Sequence, residues 1–212
     1  MKLKKIASLM LAGIMAVSML AACGEGAGNN NGGASSSETP ATGVSATFAG
    51  YLKNGDRVDF DDNNVYQNYL ASAIEKRDLN YSVLGDVDDV ETVTNGELYQ
   101  NVQKLFNDGV IGYKDDCTID ALGAIQDTTD TTFTTLYQAP GSMEEDVVLK
   151  AVAGKLDAKF DKNILVNFYT NADNTYDYDY TGSVSMQKVE DGSASAWFVL
   201  VTLSVDVAKT GK

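Results

Sequence analysis

The sequence predicts an α+β fold, with helices in the N-terminal half and a C-terminal helix packed on an antiparallel β-sheet meander. Apolar residues recur at helical spacing in several segments between residues 61 and 160. Between residues 164 and 208 the spacing changes to two, which is typical of half-buried strands. Three such strands leave an apolar face that needs a cover, and we expect the helix at 142–160 to provide it.

The first predicted elements are an extended segment and a helix. Residues 44–52 are expected to be extended, and Asn54-Gly55 is a turn signal for a hairpin that ends near Phe60. The run Asp61-Asp62-Asn63-Asn64 offers N-cap side chains, and apolar residues at helical spacing follow it. The sequence therefore predicts a helix over residues 65–80.

Two later helices are predicted from capping boxes, in which a Ser or Thr is followed three residues later by Glu. Thr94-Asn95-Gly96-Glu97 precedes an apolar pattern that stops at Gly109, a residue type that commonly ends helices. Ser142-Met143-Glu144-Glu145 precedes the helix that reaches Phe160. A threonine-rich segment over residues 128–137 is predicted to be a strand between these helices.

The N-terminal segment has the layout of a secretory signal peptide, because residues 1–22 combine three lysines with a long apolar run. The run ends in Leu20-Ala21-Ala22-Cys23, which resembles the lipobox of bacterial lipoproteins. The resemblance implies that Cys23 receives a diacylglycerol thioether and becomes the first residue of the mature chain. It also implies a lipid anchor on the extracytoplasmic side of the cell membrane.

The residues after Cys23 predict the domain organisation. Residues 23–46 are rich in Gly, Asn and Ser and hold no apolar side chain larger than alanine before Val44. Such a composition cannot offset its ordering entropy, so we expect a flexible linker. Residues 47–212 are expected to form a single α+β domain, since their number is typical of one hydrophobic core.

The composition narrows the possible chemistry. The chain has 212 residues, of which 30 are acidic and 16 basic, and its net charge of −14 repels nucleic-acid phosphates. It contains no histidine, which removes Ser-His-Asp and Cys-His nucleophile systems. With Cys23 acylated, Cys117 is the one other cysteine and is expected to be a buried small residue. We therefore predict no nucleic-acid partner, no metal and no cofactor.

The segment Tyr176-Asp177-Tyr178-Asp179-Tyr180 is the strongest candidate for a ligand surface. Period two places the three tyrosines on one face of a strand and the two aspartates on the other. If exposed, Tyr176, Tyr178 and Tyr180 would form an aromatic platform for a glycan or peptide, whereas a covering helix would make them core. Asp177 and Asp179 are candidate paired carboxylates, or solvent-facing charges that discourage aggregation.

An oxygen-rich segment offers a second candidate. Asp59, Asp61 and Asn63 are spaced like the first ligands of a calcium-binding loop. The sixth and last positions of such a loop need glycine and glutamate, and here they are Asn64 and Leu70. These departures remove the sharp turn and the bidentate ligand, so a helix N-cap cluster is the favoured interpretation.

Together these features predict a secreted, membrane-anchored lipoprotein that is a non-enzymatic ligand- or protein-binding component of the cell envelope. An envelope protein or a glycan is the expected partner. The alternative is an extracellular hydrolase of glycan or peptide that uses paired carboxylates. A purely structural role in envelope assembly also stays open.

Overall fold

The computed structural model describes residues 43–76, 84 and 87–211 of the chain, which form helices in the first part and three consecutive strands at the C-terminal end. The helices whose bounds these residues define are α1 (Val44–Ala49), α2 (Asn64–Glu75), α3 (Gly96–Gly109) and α4 (Glu145–Leu156). The strands are β1 (Val58–Phe60), β2 (Glu91–Val93), β3 (Thr131–Pro140), β4 (Phe168–Thr170), β5 (Thr175–Asp191) and β6 (Ala194–Gly211). Single 3₁₀ turns occupy Ile119–Ala121 and Asp157–Lys159.

All of these strands belong to one mostly antiparallel sheet. Its order is β1-β5-β6-β3-β2, and β4 pairs with β5 beside β1. The pairing of β1 with β5 is parallel, and the other pairings are antiparallel. The predicted C-terminal meander therefore corresponds to β4, β5 and β6, and β3 extends it by pairing with the far edge of β6.

Helices cover both faces of this sheet. On one face, α1 and α4 share a large apolar core with the sheet, to which they contribute Phe48, Val148 and Val152 beside Val184 and Val199. The predicted packing of the C-terminal helix on the sheet agrees with this core. The predicted division by chain halves is too simple, because strands β1 and β2 lie among the helices of the N-terminal half and belong to the same sheet.

The opposite face carries a second core beneath α2 and α3. These helices bury Leu70 and Phe106 against Leu136 of β3 and Phe198 and Leu200 of β6. Because successive residues of a strand point to opposite faces, the middle of β6 is apolar on both sides. A strand of this kind is stable only between two covering layers, which explains the three-layer arrangement.

The folded region begins earlier, and in a different conformation, than the sequence indicates. Residues 44–49 form helix α1 instead of an extended segment, and Val44 and Ser45 are buried, so the expected linker boundary at residue 46 is too late. The expected hairpin is also wrong, since β1 pairs in parallel with residues 180–182 of β5. A long-range partner therefore overrides the local Asn54-Gly55 turn signal.

A side chain from a later loop caps the start of α1. The Asp62 carboxylate accepts hydrogen bonds from the backbone N–H groups of Gly43 and Ser45. Gly43 adopts a positive φ of 81° at this helix start, which glycine tolerates without strain. Neither contact is visible as a local sequence motif, because Asp62 lies 17 residues after Ser45.

The local capping predictions have mixed outcomes. Asn63 is the N-cap of α2 and accepts from the backbone N–H groups of Val65 and Tyr66, which confirms the N-cap interpretation of this cluster. Both capping boxes are wrong, because α3 and α4 begin after Asn95 and Glu144 without a side-chain cap. The predicted stop of α3 at Gly109 is confirmed, whereas the predicted end of α2 near residue 80 lies outside the described residues.

Asp62 makes stability depend on pH. Burial alone would raise the pKa of its carboxyl, but the hydrogen bonds from Ser45 and Gly43 outweigh burial and lower the pKa below its ordinary value. Since the folded-state pKa is depressed, the contribution is present above the unfolded pKa of about 3.9 and is lost as pH falls through the folded value.

We expect Asp62→Asn to lower the free energy of unfolding by about 1 kcal/mol at pH 7, because the amide has one acceptor oxygen and can keep only one of the two bonds that the carboxylate oxygens accept. The difference from wild type should shrink as the pH is lowered below about 4. Urea unfolding between pH 3 and pH 7 measures this, with the exposed neighbour Asp61→Asn as the matched control. A deficit that is equal at all pH values would contradict the assigned role.

Hydroxyl side chains cross the sheet on the face that α2 covers. Ser183, Thr202 and Thr134 lie side by side on β5, β6 and β3. The Thr134 hydroxyl bonds that of Tyr113 at 3.0 Å, whereas the buried hydroxyls of Ser183 and Thr202 have no partner among the described residues. A buried hydroxyl without a partner costs free energy, so these two positions reduce the stability of the fold.

This cost can be measured with a matched pair of isosteric substitutions. We expect Thr202→Val to leave the free energy of unfolding unchanged or to raise it by up to about 1 kcal/mol. We expect Thr135→Val, at an equally buried position, to lower it by about 1–3 kcal/mol, because the Thr135 hydroxyl accepts from Ile119 N at 2.9 Å. Equal losses in the two variants, measured by urea unfolding, would refute the assignment.

Candidate functional site

The three tyrosines proposed as ligand-facing aromatics are buried. Tyr176, Tyr178 and Tyr180 are 8%, 6% and 5% exposed and belong to the large core. The hydroxyl of Tyr178 donates to Asp127 O at 2.6 Å, and that of Tyr180 donates to Val166 O at 2.7 Å. Burial, followed by the charge of Asp127, raises the pKa of Tyr178 to about 12. Of the two interpretations of this face, burial in the core is therefore confirmed and an exposed aromatic platform is wrong, because the chain around these carbonyls covers the tyrosine face.

The two intervening aspartates lie on the opposite, exposed side of β5. Asp179 stands directly across from Asp206 of β6, and Asp177 stands across from Ala208. Burial, together with the nearby charges of Asp130 and Asp179, raises the pKa of Asp206. Like charges directly opposite each other on a sheet are mutually destabilising, so Asp179 and Asp206 form a strained acidic pair on an open surface.

The remaining sequence candidates take structural positions. Asn63 of the calcium-like segment is occupied as a helix cap, and the described residues contain no group of three acidic or cysteine side chains suited to hold a metal ion. Cys117 is half-buried, where it was expected to be buried, and its thiol donates to Thr118 O at 3.8 Å. Burial and then the charge of Asp116 raise the pKa of this thiol, which disfavours the nucleophilic thiolate.

A polar cleft that the sequence did not suggest lies between two loops at one end of α4. Its volume is about 340 Å³, near the lower end of the range for small-molecule sites. We call it the cationic cleft, because three of the chain's 16 basic side chains line it. The lining residues are Lys53, Asn54, Asp56, Arg57, Asp161 and Lys162.

The first wall of the cationic cleft is the loop between α1 and β1. The carboxylate of Asp157, which directly follows α4, accepts from the backbone N–H groups of Lys53 at 2.6 Å and Asn54 at 3.0 Å. The side-chain amide of Asn54 also donates to Asp157, at 3.2 Å. With the bond from the same amide to Asp157 O at 3.3 Å, four hydrogen bonds fix this loop against the end of the helix, so α4 sets the backbone position of Lys53.

The second wall is the turn at residues 161–165. The Asp161 carboxylate accepts from the backbone N–H of Asn163 at 2.8 Å. The backbone carbonyl of Asp161 accepts from the backbone N–H groups of Ile164 and Leu165, at 2.9 Å each. Arg57 joins the two walls, because its guanidinium Nη1 donates to Leu165 O at 2.7 Å. The cleft is therefore held open by hydrogen bonds to backbone groups on both sides.

The cations of the cleft form no ion pair with another described residue, although Asp56 and Asp161 also line it. Among the described residues, ion pairs within 4 Å join Lys114 to Asp127 and Lys188 to Glu190, and neither pair belongs to the cleft. This is notable in a chain in which acidic residues outnumber basic ones by nearly two to one. The arrangement leaves three positively charged side chains without an ion-pair partner around a small open cleft.

Sequence reasoning missed the cleft because its walls are about a hundred residues apart along the chain. Lys53 and Arg57 lie near Asp161 and Lys162 only because α4 and the large core bring the two loops together. The available signal was weak: two basic residues close together at 53 and 57 in an otherwise acidic chain.

Comparisons of the chain with models of known protein families, with curated proteins and with solved structures gave no match. Within the described residues, none of the helices has the length and apolar character needed to cross a bilayer. Cys23, the expected site of lipid attachment, and the preceding residues Leu20-Ala21-Ala22 lie outside the described residues.

Proposed function

We propose that the chain is a lipid-anchored protein of the extracytoplasmic membrane face that binds a ligand, without transforming it, in the cationic cleft. The observation that carries the proposal is the cleft itself, in which three cations that form no ion pair with a described residue line a volume of about 340 Å³. The lipid anchor rests on the resemblance of Leu20-Ala21-Ala22-Cys23 to a lipobox. A lipoprotein cysteine carries more than one acyl chain, and two or more chains give stable anchoring.

Binding fits the lining of the cleft better than catalysis does. The six lining side chains are amine, guanidinium, amide and carboxylate groups, and they include no hydroxyl or thiol nucleophile. Histidine, the most common general base at neutral pH, is absent from the whole chain. The lining amines and carboxylates could act as nucleophile and base only in contact, and neither lysine forms an ion pair with a described acid, which supports recognition as the role of this site.

The anchor is tested by fractionating cells that express the full chain. We expect wild type in the membrane fraction, with a mature N-terminus at Cys23 whose mass includes the diacylglycerol group and further acylation. Cys23→Ala should abolish the added mass and release the chain from the membrane fraction. Cys117→Ala, which keeps the other cysteine, is the matched control and should behave as wild type. A wild-type mature N-terminus at any other residue would overturn the anchor.

The binding site is tested by cross-linking in intact cells. A photoreactive amino acid in place of Lys162 should give adducts with envelope material on irradiation. The same amino acid in place of Lys150, an exposed residue of α4 outside the cleft, should give none of these adducts. Identical adduct patterns from both positions would show that the cleft is not the binding site.

A further inference from the structure

We infer that the ligand of the cationic cleft is a small molecule that carries an oxyanion, a phosphate or a carboxylate group, together with neutral hydroxyl groups. This inference rests on the proposed function and specifies the chemistry of its ligand. It follows from the position of Arg57, from the two lysines on opposite walls, and from the limited volume of the cleft.

Arg57 has the geometry of an anchored anion receptor. Its side chain is half-buried, and the bond from Nη1 to Leu165 O at 2.7 Å fixes the guanidinium plane. A guanidinium has five N–H donors, so this single bond to the backbone leaves donors for a ligand. Because the fork is rigid and planar, its remaining donors match the spacing of two oxygens of a phosphate or carboxylate.

Lys53 and Lys162 flank this receptor from the two walls. Both ammonium groups are exposed, and neither forms an ion pair with another described residue. Their backbones are fixed by the hydrogen bonds to Asp157 and by the turn at Asp161, so little loop ordering is left to occur on binding. The two flexible lysine ammonium groups, together with the fixed Arg57 guanidinium, would surround a single oxyanion.

The carboxylates of the cleft account for the hydroxyl groups in the proposed ligand. Asp161 already accepts from Asn163, while Asp56 is exposed on the same rim. Three cations and two carboxylates give the lining a net charge of +1, in a chain whose net charge is −14. A polyanion would be repelled by the rest of the surface, whereas one oxyanion beside hydroxyl donors satisfies both kinds of lining group.

The volume limits the size of the ligand. About 340 Å³ suits a molecule with the dimensions of a phosphorylated polyol or a small hydroxy acid. Phosphate and carboxylate share the chemistry that the cleft recognises, so the experiment compares them directly. Glycerol 3-phosphate and citrate are the probes, inorganic phosphate tests the oxyanion alone, and glycerol tests the hydroxyl groups alone.

The inference is tested by calorimetric titration of the purified full chain with these four probes. We expect at least one of the two oxyanion-bearing hydroxylated probes to bind more tightly than inorganic phosphate, and glycerol alone not to bind. Lys53→Gln and Lys162→Gln should each weaken binding about 3-fold, and the double variant about 10-fold, as expected for exposed charge pairs. Lys150→Gln removes the same charge outside the cleft and should leave affinity within about 1.5-fold of wild type.

Arg57 needs a separate variant, because its bond to Leu165 O also supports the fold. Arg57→Lys keeps the charge and an N–H donor for Leu165 O but loses the planar fork, so we expect it to weaken binding about 10-fold with an unchanged thermal unfolding midpoint. Binding that is equally strong in the Lys53→Gln/Lys162→Gln double variant and in wild type would overturn the inference. So would the absence of binding by every oxyanion probe.

These outcomes are distinguishable from failure of the proposed function. Cross-links from position 162 in cells, combined with no binding of phosphate or carboxylate probes, would retain the cleft as a binding site and reject the oxyanion. If oxyanion binding depends on Lys53 and Lys162 but the chain carries no lipid at Cys23, the proposed ligand chemistry is retained and the lipid anchor is rejected.

Discussion

The burial of β6 on both of its faces is the constraint on which the rest of the fold depends. Val199 and Val201 point into the large core, while Phe198 and Leu200 point into the second core. No single helical layer can cover both sets, because they lie on opposite sides of the same backbone. The chain therefore has to place α1 and α4 on one side and α2 and α3 on the other. The loops between the helices and strands have to cross from one side of the sheet to the other to meet that requirement. One of them places β1 at the edge of the sheet, parallel to β5.

Helix α1, which covers one face of the sheet, also protects the edge of β5 that β1 leaves unpaired. β1 covers β5 only as far as residue 182, and at the next outward-facing position the buried hydroxyl of Ser45 accepts from Val184 N at 2.9 Å. A helix residue thus supplies the hydrogen bond that a further strand would have made. Exposed strand edges invite pairing between molecules, so α1 protects the sheet as well as covering its apolar face. Asp62, which caps α1, links this protection to the loop that follows β1.

The outcome of sequence reasoning differs between local and long-range features. The helical periods of α2, α3 and α4 and the alternation in β5 and β6 were readable, because each reflects burial of one side of one element. The second covering layer was also implied, since Phe198 and Leu200 are apolar in the opposite phase to Val199 and Val201, but a meander with a single cover was expected. Tyr176, Tyr178 and Tyr180 could not be placed, since their exposure depends on a distant segment and not on their spacing. The cationic cleft had no local signature, because contacts between distant loops assemble it.

Asp157 connects the cleft to the stability of the domain. Its carboxylate holds the loop that carries Lys53, and it directly follows a helix whose residues Val152 and Leu156 are fully buried. The loop on one side of the proposed binding site is thus hydrogen-bonded to the end of a helix that is packed in the large core. Ligand binding in the cleft and folding of the domain therefore depend on each other. A ligand bound there shifts the whole population toward the native state, and damage to the core of α4 lowers ligand affinity at a distance.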